Sequence, residues 1–194
     1  WDLLFVKGVK YKPLNDLFLK KLLSKLQKIT SKKPKNIIDL GCGTGESLLK
    51  FYKNDFIVTG VDYSTVAIEE ARELFKKEKA NSIFSVCDLE EITKTIHSKF
   101  NVVFSKDTYA FVKDKQEFFK SVKELMNTDS IFILITPVLY SDVKYSKEDK
   151  PGIAVDFDET CSILSKNFDS VEIFHHDYFG GKGDITTFLA TKKQ

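Results

Sequence analysis

The 194 residues include 42% hydrophobic and 30% charged side chains, which is the composition of a folded globular domain rather than a disordered chain. The net charge of +2 gives no strong field for nucleic acid, and the longest uninterrupted aliphatic and aromatic run, residues 131–135, is much too short to cross a membrane. Three cysteines without a CxxC pair argue against a disulfide framework or a zinc site. Because the first residues also lack the features of a signal peptide, we expect a cytoplasmic protein with no membrane partner.

Apolar runs that predict β-strands alternate along the chain with amphipathic segments that predict α-helices. The first thirty residues carry one apolar stripe, with Pro13 at the first turn of the predicted helix, and we expect this helix to pack over the edge of the sheet or its ligand. Predicted strands follow at residues 36–40, 56–61, 82–86, 101–105 and 130–136. Between and after them, predicted helices start at the capping residues Ser64, Asp114 and Asp156, and Met126 continues the apolar stripe of the second of these helices.

The end of the chain departs from this alternation. Two β-like runs, residues 170–179 and 184–192, flank the sequence GGKG, which predicts a hairpin and therefore an antiparallel strand. We predict one α/β domain over residues 1–194, with an amino-terminal helical cap at 1–30 and a Rossmann-like, doubly wound, mostly parallel core at 35–194.

A glycine-rich loop follows the first predicted strand, in the sequence IIDLGCGTGES from residue 37 to residue 47. A dinucleotide-binding loop, G-x-G-x-x-G, would place its third glycine at position 46, where this chain has Glu46, and Asp39 stands just before the loop. Two like charges about 4 Å apart cost about 1 kcal/mol in water and about 4 kcal/mol near a protein surface, so a pyrophosphate is disfavoured here. The acid favours a ligand that carries positive charge.

The segment DLGCGTG resembles the first motif of the class I S-adenosylmethionine-dependent methyltransferases, and the resemblance extends from this loop to the carboxy-terminal hairpin. It implies a seven-stranded sheet whose last strand is antiparallel, S-adenosylmethionine as cofactor, and transfer of its methyl group by in-line displacement. The overall pattern is similar to the small-molecule branch of the family, among enzymes like those of ubiquinone and menaquinone biosynthesis or of tellurite resistance. Because the sequence shows no added domain and no basic stripe, a small-molecule acceptor is the expected class. We also expect a monomer or homodimer.

The resemblance also implies which residues hold the cofactor. Asp62, at the end of the second strand, would accept hydrogen bonds from both ribose hydroxyls, and Asp88, after the third strand, would accept one from the adenine amine. An aspartate in a turn and an aspartate that caps a helix are the respective alternatives. The complete predicted set is Asp39, Gly41, Cys42, Gly43, Gly45, Asp62, Tyr63, Asp88, Leu89 and Ser105.

The sequence gives weaker signals for the residues that bind the methyl acceptor than for those that bind the cofactor. Asp107 and Tyr109 follow the fourth strand and His175 lies in the penultimate one, so these three are candidates for orienting the acceptor or taking its proton, with ordinary loop or packing roles as alternatives. The aromatic side chains expected at the acceptor, with core or edge packing as the alternative, are Trp1, Tyr11 and Tyr140. The connection at residues 137–156 is a candidate lid. No His, Cys and carboxylate set has the spacing of metal ligands, so we predict no metal site.

Other functions remain possible from the residues alone. Two Y-x-x-x-K matches, at Tyr109 and Tyr140, are compatible with a short-chain NAD-dependent oxidoreductase, but the amino-terminal T-G-x-x-x-G-x-G of that family is absent from this sequence. A protein or RNA methyltransferase and a non-catalytic S-adenosylmethionine-binding module are the remaining alternatives. The D-P-P-Y type of motif found in methyltransferases of nucleobases or glutamine is also missing from the sequence.

Overall fold

Eight strands form one sheet in the computed structural model, which describes residues 1–8, 11–29, 35–145, 153–176 and 184–192. They are β1 (Lys35–Leu40), β2 (Phe56–Asp62), β3 (Ser82–Val86), β4 (Phe100–Lys106), β5 (Met126–Leu139), β6 (Val155–Asp156), β7 (Ser170–His176) and β8 (Asp184–Thr191). Their order is β3-β2-β1-β4-β5-β8-β7, and the two-residue β6 pairs with the end of β5.

The first five strands are parallel, whereas β8 runs antiparallel to both β5 and β7. This confirms the predicted doubly wound, mostly parallel sheet with an antiparallel last strand. The GGKG segment of the predicted hairpin lies outside the described residues. Because β1 is flanked by β2 on one side and β4 on the other, the chain reverses its winding there, and a crevice opens at the carboxyl ends of these strands.

Helices cover both faces of the sheet. They are α1 (Asp2–Val6), α2 (Asp16–Ile29), α3 (Glu46–Tyr52), α4 (Thr65–Lys77), α5 (Ile92–Thr95), α6 (Lys115–Leu125) and α7 (Phe157–Asn167), with short 3₁₀ turns at Leu89–Glu91 and Tyr109–Phe111. The predicted caps are confirmed, since the side chains of Ser64, Asp114 and Asp156 accept hydrogen bonds from backbone N–H groups of α4, α6 and α7.

Two element boundaries differ from the prediction. Helix α2 begins at Asp16, because the side chain of Asn15 accepts the N–H of Phe18, so Pro13 precedes the helix instead of forming its first turn. Met126 begins β5 rather than continuing the helical stripe, because it pairs with Phe100 of β4, and β5 extends well beyond residues 130–136 on both sides.

The sheet separates two hydrophobic clusters, which explains the nearly continuous apolar character of its strands. Ile37 contributes to the cluster under α2, α3 and α4, while its neighbour Ile38 contributes to the cluster under α5, α6 and α7. Both side chains are fully buried, and burial of such a side chain contributes about 1.5–3 kcal/mol to folding. In the part of the chain that the structure describes, no helix is long and apolar enough to cross a membrane.

Candidate active site

The glycine loop between β1 and α3 folds back over the end of β2. The N–H groups of Gly41 and Cys42 both donate to the carbonyl of Val61, at 2.8 and 2.9 Å. Gly41 has a φ of +86°, and a Cβ at this position would lie 2.1 Å from Oγ1 of Thr108, so only glycine fits there. The loop is therefore held close to the residues that follow β4.

Gly43 presents bare backbone at the centre of this loop. Its φ is +52°, and the nearest atoms to a Cβ built there belong to the Phe5 ring, 3.9 Å away. Gly43 therefore lines the cleft with backbone alone, beside the Phe5 ring, and its left-handed backbone disfavours any side chain.

Asp62 fixes the loop from the end of β2. One carboxylate oxygen accepts the N–H of Gly43 and the other accepts the N–H of Ser64, each at 2.9 Å. Burial raises the pKa of Asp62, and the hydrogen bonds from Ser64 and Gly43 partly oppose this increase. A carboxylate has about four acceptor positions, so about two remain for a ligand.

Asp39 is a buried acid with an unfilled acceptor at the end of β1. Its side chain is 2% exposed, and its Oδ1 atom has no hydrogen-bond partner among the described residues. Burial raises the pKa of Asp39 well above 3.8, repulsion from Asp62 raises it further, and Lys106 acts in the opposite direction. A buried acceptor without a partner is unfavourable, so this position is suited to a ligand that brings a hydrogen-bond donor or a positive charge.

These groups line a cleft of about 350 Å³ at the carboxyl ends of β1 to β4, within the usual range for small-molecule sites. The cleft brings together most of the residues that the sequence analysis selected. Those that line it are Trp1, Tyr11, Asp39, Gly41, Cys42, Gly43, Asp62, Tyr63, Asp88, Leu89 and Asp107.

The amino-terminal segment forms the roof of the cleft. Asp2 accepts hydrogen bonds from the Ser64 hydroxyl and the Val66 N–H at the start of α4, and the Ser64 bond lowers the pKa of Asp2. The Trp1 ring meets Phe111 edge-on, with 4.6 Å between ring centroids. The segment therefore bridges α4 on one side of the cleft and the turn after β4 on the other.

Helix α3 anchors the rest of this roof, which consists of residues 11–16. The Ser47 hydroxyl accepts the N–H of Leu14 at 3.3 Å. The Lys50 ammonium donates to the Leu14 carbonyl at 2.7 Å and forms an ion pair with Asp16. Because α3 begins at the glycine loop, these bonds attach residues 11–16 to that loop through α3.

An ion pair of adjacent residues forms the floor below Tyr11. The Lys106 ammonium pairs with the Asp107 carboxylate, and their side chains are 9% and 16% exposed. Asp107 has a φ of +59°, which is strained for a residue other than glycine, and its N–H donates to the carbonyl of Ile135 at 2.9 Å. Burial raises the pKa of Tyr11, and the negative charges of Asp107 and Asp62 raise it further.

Three of the predicted cofactor residues also support the structure. Asp88 lines the cleft, and its Oδ1 atom also caps the 3₁₀ turn Leu89–Glu91 by accepting the N–H of Glu90 at 3.0 Å. Gly45 stands behind the loop as the N-cap of α3, and Ser105 is buried and donates to the carbonyl of Leu40 at 3.1 Å. Gly45 and Ser105 thus brace the loop from behind rather than line the cleft.

The remaining acceptor candidates lie elsewhere. Tyr109 is fully buried against Phe118 and Phe119, because the 3₁₀ turn after β4 directs it to the core and Phe111 to the cleft. Tyr140 and His175 form a separate cluster, in which the phenol oxygen lies 3.0 Å from Nδ1 of the imidazole. The structure therefore gives none of the three direct contact with the cleft.

Several cleft residues were absent from the sequence-based selection, among them Phe5, Lys106, Thr108, Phe111 and Lys113. Lys106 had a usable signal, since it is the only charged residue of β4 and stands at the end of that strand. Phe5 and Phe111 had none, because their position depends on how the roof docks. Among the described residues, no group of three or more His, Cys, Asp or Glu side chains could hold a metal ion.

Comparison with known proteins agrees with this architecture. A model of the methyltransferase domain family matches residues 31–193. The carboxy-S-adenosyl-L-methionine synthase of Campylobacter curvus is 31% identical over 116 residues, which cover 58% of this chain and 48% of that protein. The ubiquinone biosynthesis O-methyltransferase of Coxiella burnetii is 31% identical over 117 residues, 60% of this chain and 49% of that protein.

A solved structure shows the same fold. The phosphoethanolamine N-methyltransferase 2 of Haemonchus contortus superposes with a TM-score of 0.71 at 18% identity, over 90% of this chain and 53% of that chain. The chain spans about half the length of the two curated relatives described above.

The chain belongs to the methyltransferase domain family. The predicted membership of the class I S-adenosylmethionine-dependent methyltransferases is thereby confirmed. The O-methyltransferase of ubiquinone biosynthesis among the relatives agrees with the finer likeness that the sequence suggested.

Proposed function

We propose that the chain binds S-adenosylmethionine in the cleft and transfers its methyl group to a small-molecule acceptor by in-line displacement. The observation that carries this proposal is the buried Asp39 oxygen without a partner, beside a glycine loop with bare backbone. S-adenosylmethionine has an α-ammonium group and a sulfonium cation, which meet the need for a donor and for positive charge at this position. The residues present therefore fit the cofactor.

The residues of the cleft have distinct roles in this proposal. The remaining acceptor positions of Asp62 bind the ribose hydroxyls, and Asp88, beside Leu89, binds the adenine amine. Gly41, Cys42 and Gly43 provide the backbone surface, and Tyr63 borders the cleft next to Asp62. When bound, the cofactor supplies an activated methyl group.

The protein contributes mainly alignment and exclusion of water. Holding two reactants in line can supply roughly 7–11 kcal/mol of the barrier. Tyr11 and Trp1 in the roof and Asp107 in the floor enclose the space left for the acceptor. We further propose that residues 1–194 form one domain, with residues 1–30 as its cap, and that the protein is cytoplasmic and acts as a monomer or homodimer on a small molecule.

A second candidate reaction takes place on the cofactor itself. A relative is named carboxy-S-adenosyl-L-methionine synthase, and a carboxylated cofactor would bring an additional anion into the cleft. Lys106 is a cation at the floor that could receive it. The ion pair with Asp107 already neutralises Lys106, so methyl transfer is the better supported function.

One experiment separates these functions. The protein is incubated with methyl-labelled S-adenosylmethionine and a small-molecule cell extract, and the products are identified by mass spectrometry. Methyl transfer predicts a labelled small molecule together with S-adenosylhomocysteine. A cofactor that gains the mass of CO₂, because a carboxyl group from a donor in the extract replaces one hydrogen of its methyl group, assigns the second function. Absence of any change to cofactor or extract contradicts both.

A further inference from the structure

The charged groups that line the cleft are mainly negative. Among the described residues, the lining has six carboxyl groups and three ammonium groups. Even with Asp39 protonated, five carboxylates remain against three ammonium groups, and S-adenosylmethionine adds only one net positive charge. The cleft therefore favours an acceptor with positive charge over one with negative charge. The acids are Asp39, Glu46, Asp62, Asp88, Glu90 and Asp107, and the bases are Lys12, Lys106 and Lys113.

Three aromatic rings converge at the part of the cleft left for the acceptor. The centroid of the Trp1 ring lies 4.6 Å from that of Phe111 and 6.4 Å from that of Tyr11. All three residues line the cleft, and Tyr11 and Phe111 are 38% and 43% exposed. The face of an aromatic ring attracts a cation within about 6 Å of its centroid. These rings therefore suit an acceptor that combines an apolar body with a cationic group.

Asp107 provides a carboxylate on the floor below these rings. Lys106 occupies one of its acceptor positions, and about three remain for a ligand. Burial raises the pKa of Tyr11, and the negative charges of Asp107 and Asp62 raise it further, so both carboxylates act on the space beside Tyr11. Because Asp62 is assigned to the ribose, Asp107 is the carboxylate available to an acceptor at this position.

We propose that the acceptor is an amine, and that its ammonium form is held between the rings of Tyr11 and Phe111 and the carboxylate of Asp107. This inference rests on the proposed function and names its substrate class. The bound ammonium first releases a proton to water. The lone pair of the nitrogen then forms a bond to the methyl carbon, and the carbon–sulfur bond breaks with its electron pair on sulfur. The positive charge passes from sulfur to nitrogen, so the carboxylates of the cleft keep a cation beside them.

Hydroxyl and carboxylate acceptors fit this cleft less well. A hydroxyl must lose its proton as the methyl group arrives, and among the described residues that line the cleft there is no histidine to take it. The oxyanion that develops would be repelled by the excess of carboxylates. A carboxylate acceptor has this unfavourable charge from the start.

Three probes with one carbon skeleton test the inference. Phenethylamine, 2-phenylethanol and phenylacetate are each titrated by calorimetry into the protein with S-adenosylhomocysteine bound. We expect phenethylamine to bind roughly tenfold more tightly than 2-phenylethanol, as for one hydrogen bond to a charged group, and phenylacetate to bind most weakly. In the experiment with labelled cofactor and cell extract, the labelled product should be an N-methylated amine.

Asp107→Asn tests the role of the floor carboxylate. Asparagine tolerates the left-handed backbone at this position, and Lys106 loses its ion-pair partner. The variant should therefore bind phenethylamine roughly tenfold less tightly than the wild type and phenylacetate more tightly. Asp129→Asn is the matched control, because Asp129 has a similar φ of +55° but is exposed near the start of β5, remote from the cleft. It should change none of the affinities.

Phe111→Leu tests the aromatic rings. Leucine keeps an apolar side chain but removes the ring, so the affinity for phenethylamine should fall about fivefold, the contribution of one cation–π contact at an exposed site. The affinity for 2-phenylethanol should change much less. A variant in which both affinities fall equally would show that Phe111 contributes only apolar contact. Circular dichroism verifies that each variant is folded.

Failure of this inference can be distinguished from failure of the proposed function. Absence of S-adenosylhomocysteine binding would contradict the proposed function and, with it, the amine assignment. If S-adenosylhomocysteine binds, the amine assignment alone is overturned by a phenethylamine that does not bind, or by 2-phenylethanol or phenylacetate binding as tightly. A labelled product methylated on oxygen, sulfur or carbon would also overturn it. An Asp107→Asn variant with wild-type affinity for phenethylamine would exclude Asp107 as the partner of the ammonium group.

Discussion

Replacement of Asp62 by alanine is the most informative change in the proposed cofactor site. The Asp62 carboxylate accepts the N–H groups of Gly43 and Ser64 and retains about two acceptor positions for the ribose. A hydrogen bond to a charged group contributes about 1.5–3 kcal/mol, so the loss of one ribose bond weakens binding by roughly 10- to 150-fold. We therefore expect Asp62→Ala to reduce the affinity for S-adenosylmethionine at least tenfold.

The same change has a second, independent consequence. The N–H groups of Gly43 and Ser64 lose their acceptor, which destabilises the glycine loop and should lower the melting temperature by several degrees. Isothermal titration calorimetry measures the affinity, and differential scanning calorimetry measures the stability. Asp169→Ala is the matched control, because Asp169 is exposed just before β7, at the end of that strand remote from the cleft. An Asp62→Ala protein with near wild-type affinity would refute the ribose assignment.

Three further changes probe other parts of the site. Gly43→Val should abolish cofactor binding, measured by calorimetry, with the fold retained. The φ of +52° at Gly43 and the position of this residue in the cleft both disfavour a branched side chain. An unchanged binding isotherm would exclude contact between the cofactor and the backbone of Gly43. Asp39→Asn should weaken the binding of S-adenosylmethionine. Because burial raises the pKa of Asp39, the variant should also unfold at a higher urea concentration than the wild type at neutral pH. Because folding raises the pKa of Asp39, its protonated carboxyl group stabilises the wild type below pH 3.8, and this stabilisation is lost as the pH increases. The difference in stability between variant and wild type should therefore disappear in acid. A wild type that becomes more stable relative to the variant with increasing pH would contradict the argument. Lys50→Met removes the donor to the Leu14 carbonyl, so hydrogen exchange at residues 11–16 should accelerate, whereas unchanged exchange would mean that Lys50 does not anchor the roof.

The fold was predictable because its signals are local. Buried strands on both sides of the glycine loop are nearly continuous apolar runs, and the caps at Ser64, Asp114 and Asp156 follow from residue type and spacing alone. The start of α2 was misplaced because Asn15 competes with Pro13 as the starting signal, and only the contacts of Leu14 with α3 decide between them.

The residues at the carboxyl ends of the strands were predictable only in part. Asp39, Asp62 and Asp88 follow strands and therefore lie at one edge of the sheet, where the cleft opens. Tyr109 and Phe111 are two residues apart in the same 3₁₀ turn, and no sequence pattern tells which one faces the core.

The sequence predicted an amino-terminal cap near the ligand, with Trp1 and Tyr11 beside the acceptor, but not the contacts that hold this roof in place. Its contacts join residues far apart in the chain, such as Asp2 with Ser64 and Leu14 with Ser47. For the same reason the sequence did not show that Phe5 is buried while Leu3 and Val6 of the same helix are exposed.

A crystal structure of the protein with saturating S-adenosylhomocysteine tests the central claim most directly. We expect the ribose hydroxyls within hydrogen-bond distance of Asp62 and the amino-acid end of the ligand against Gly41 and Gly43, with its ammonium group beside Asp39. A cleft that stays empty under these conditions, or a ligand bound away from Asp39 and Asp62, would contradict the account.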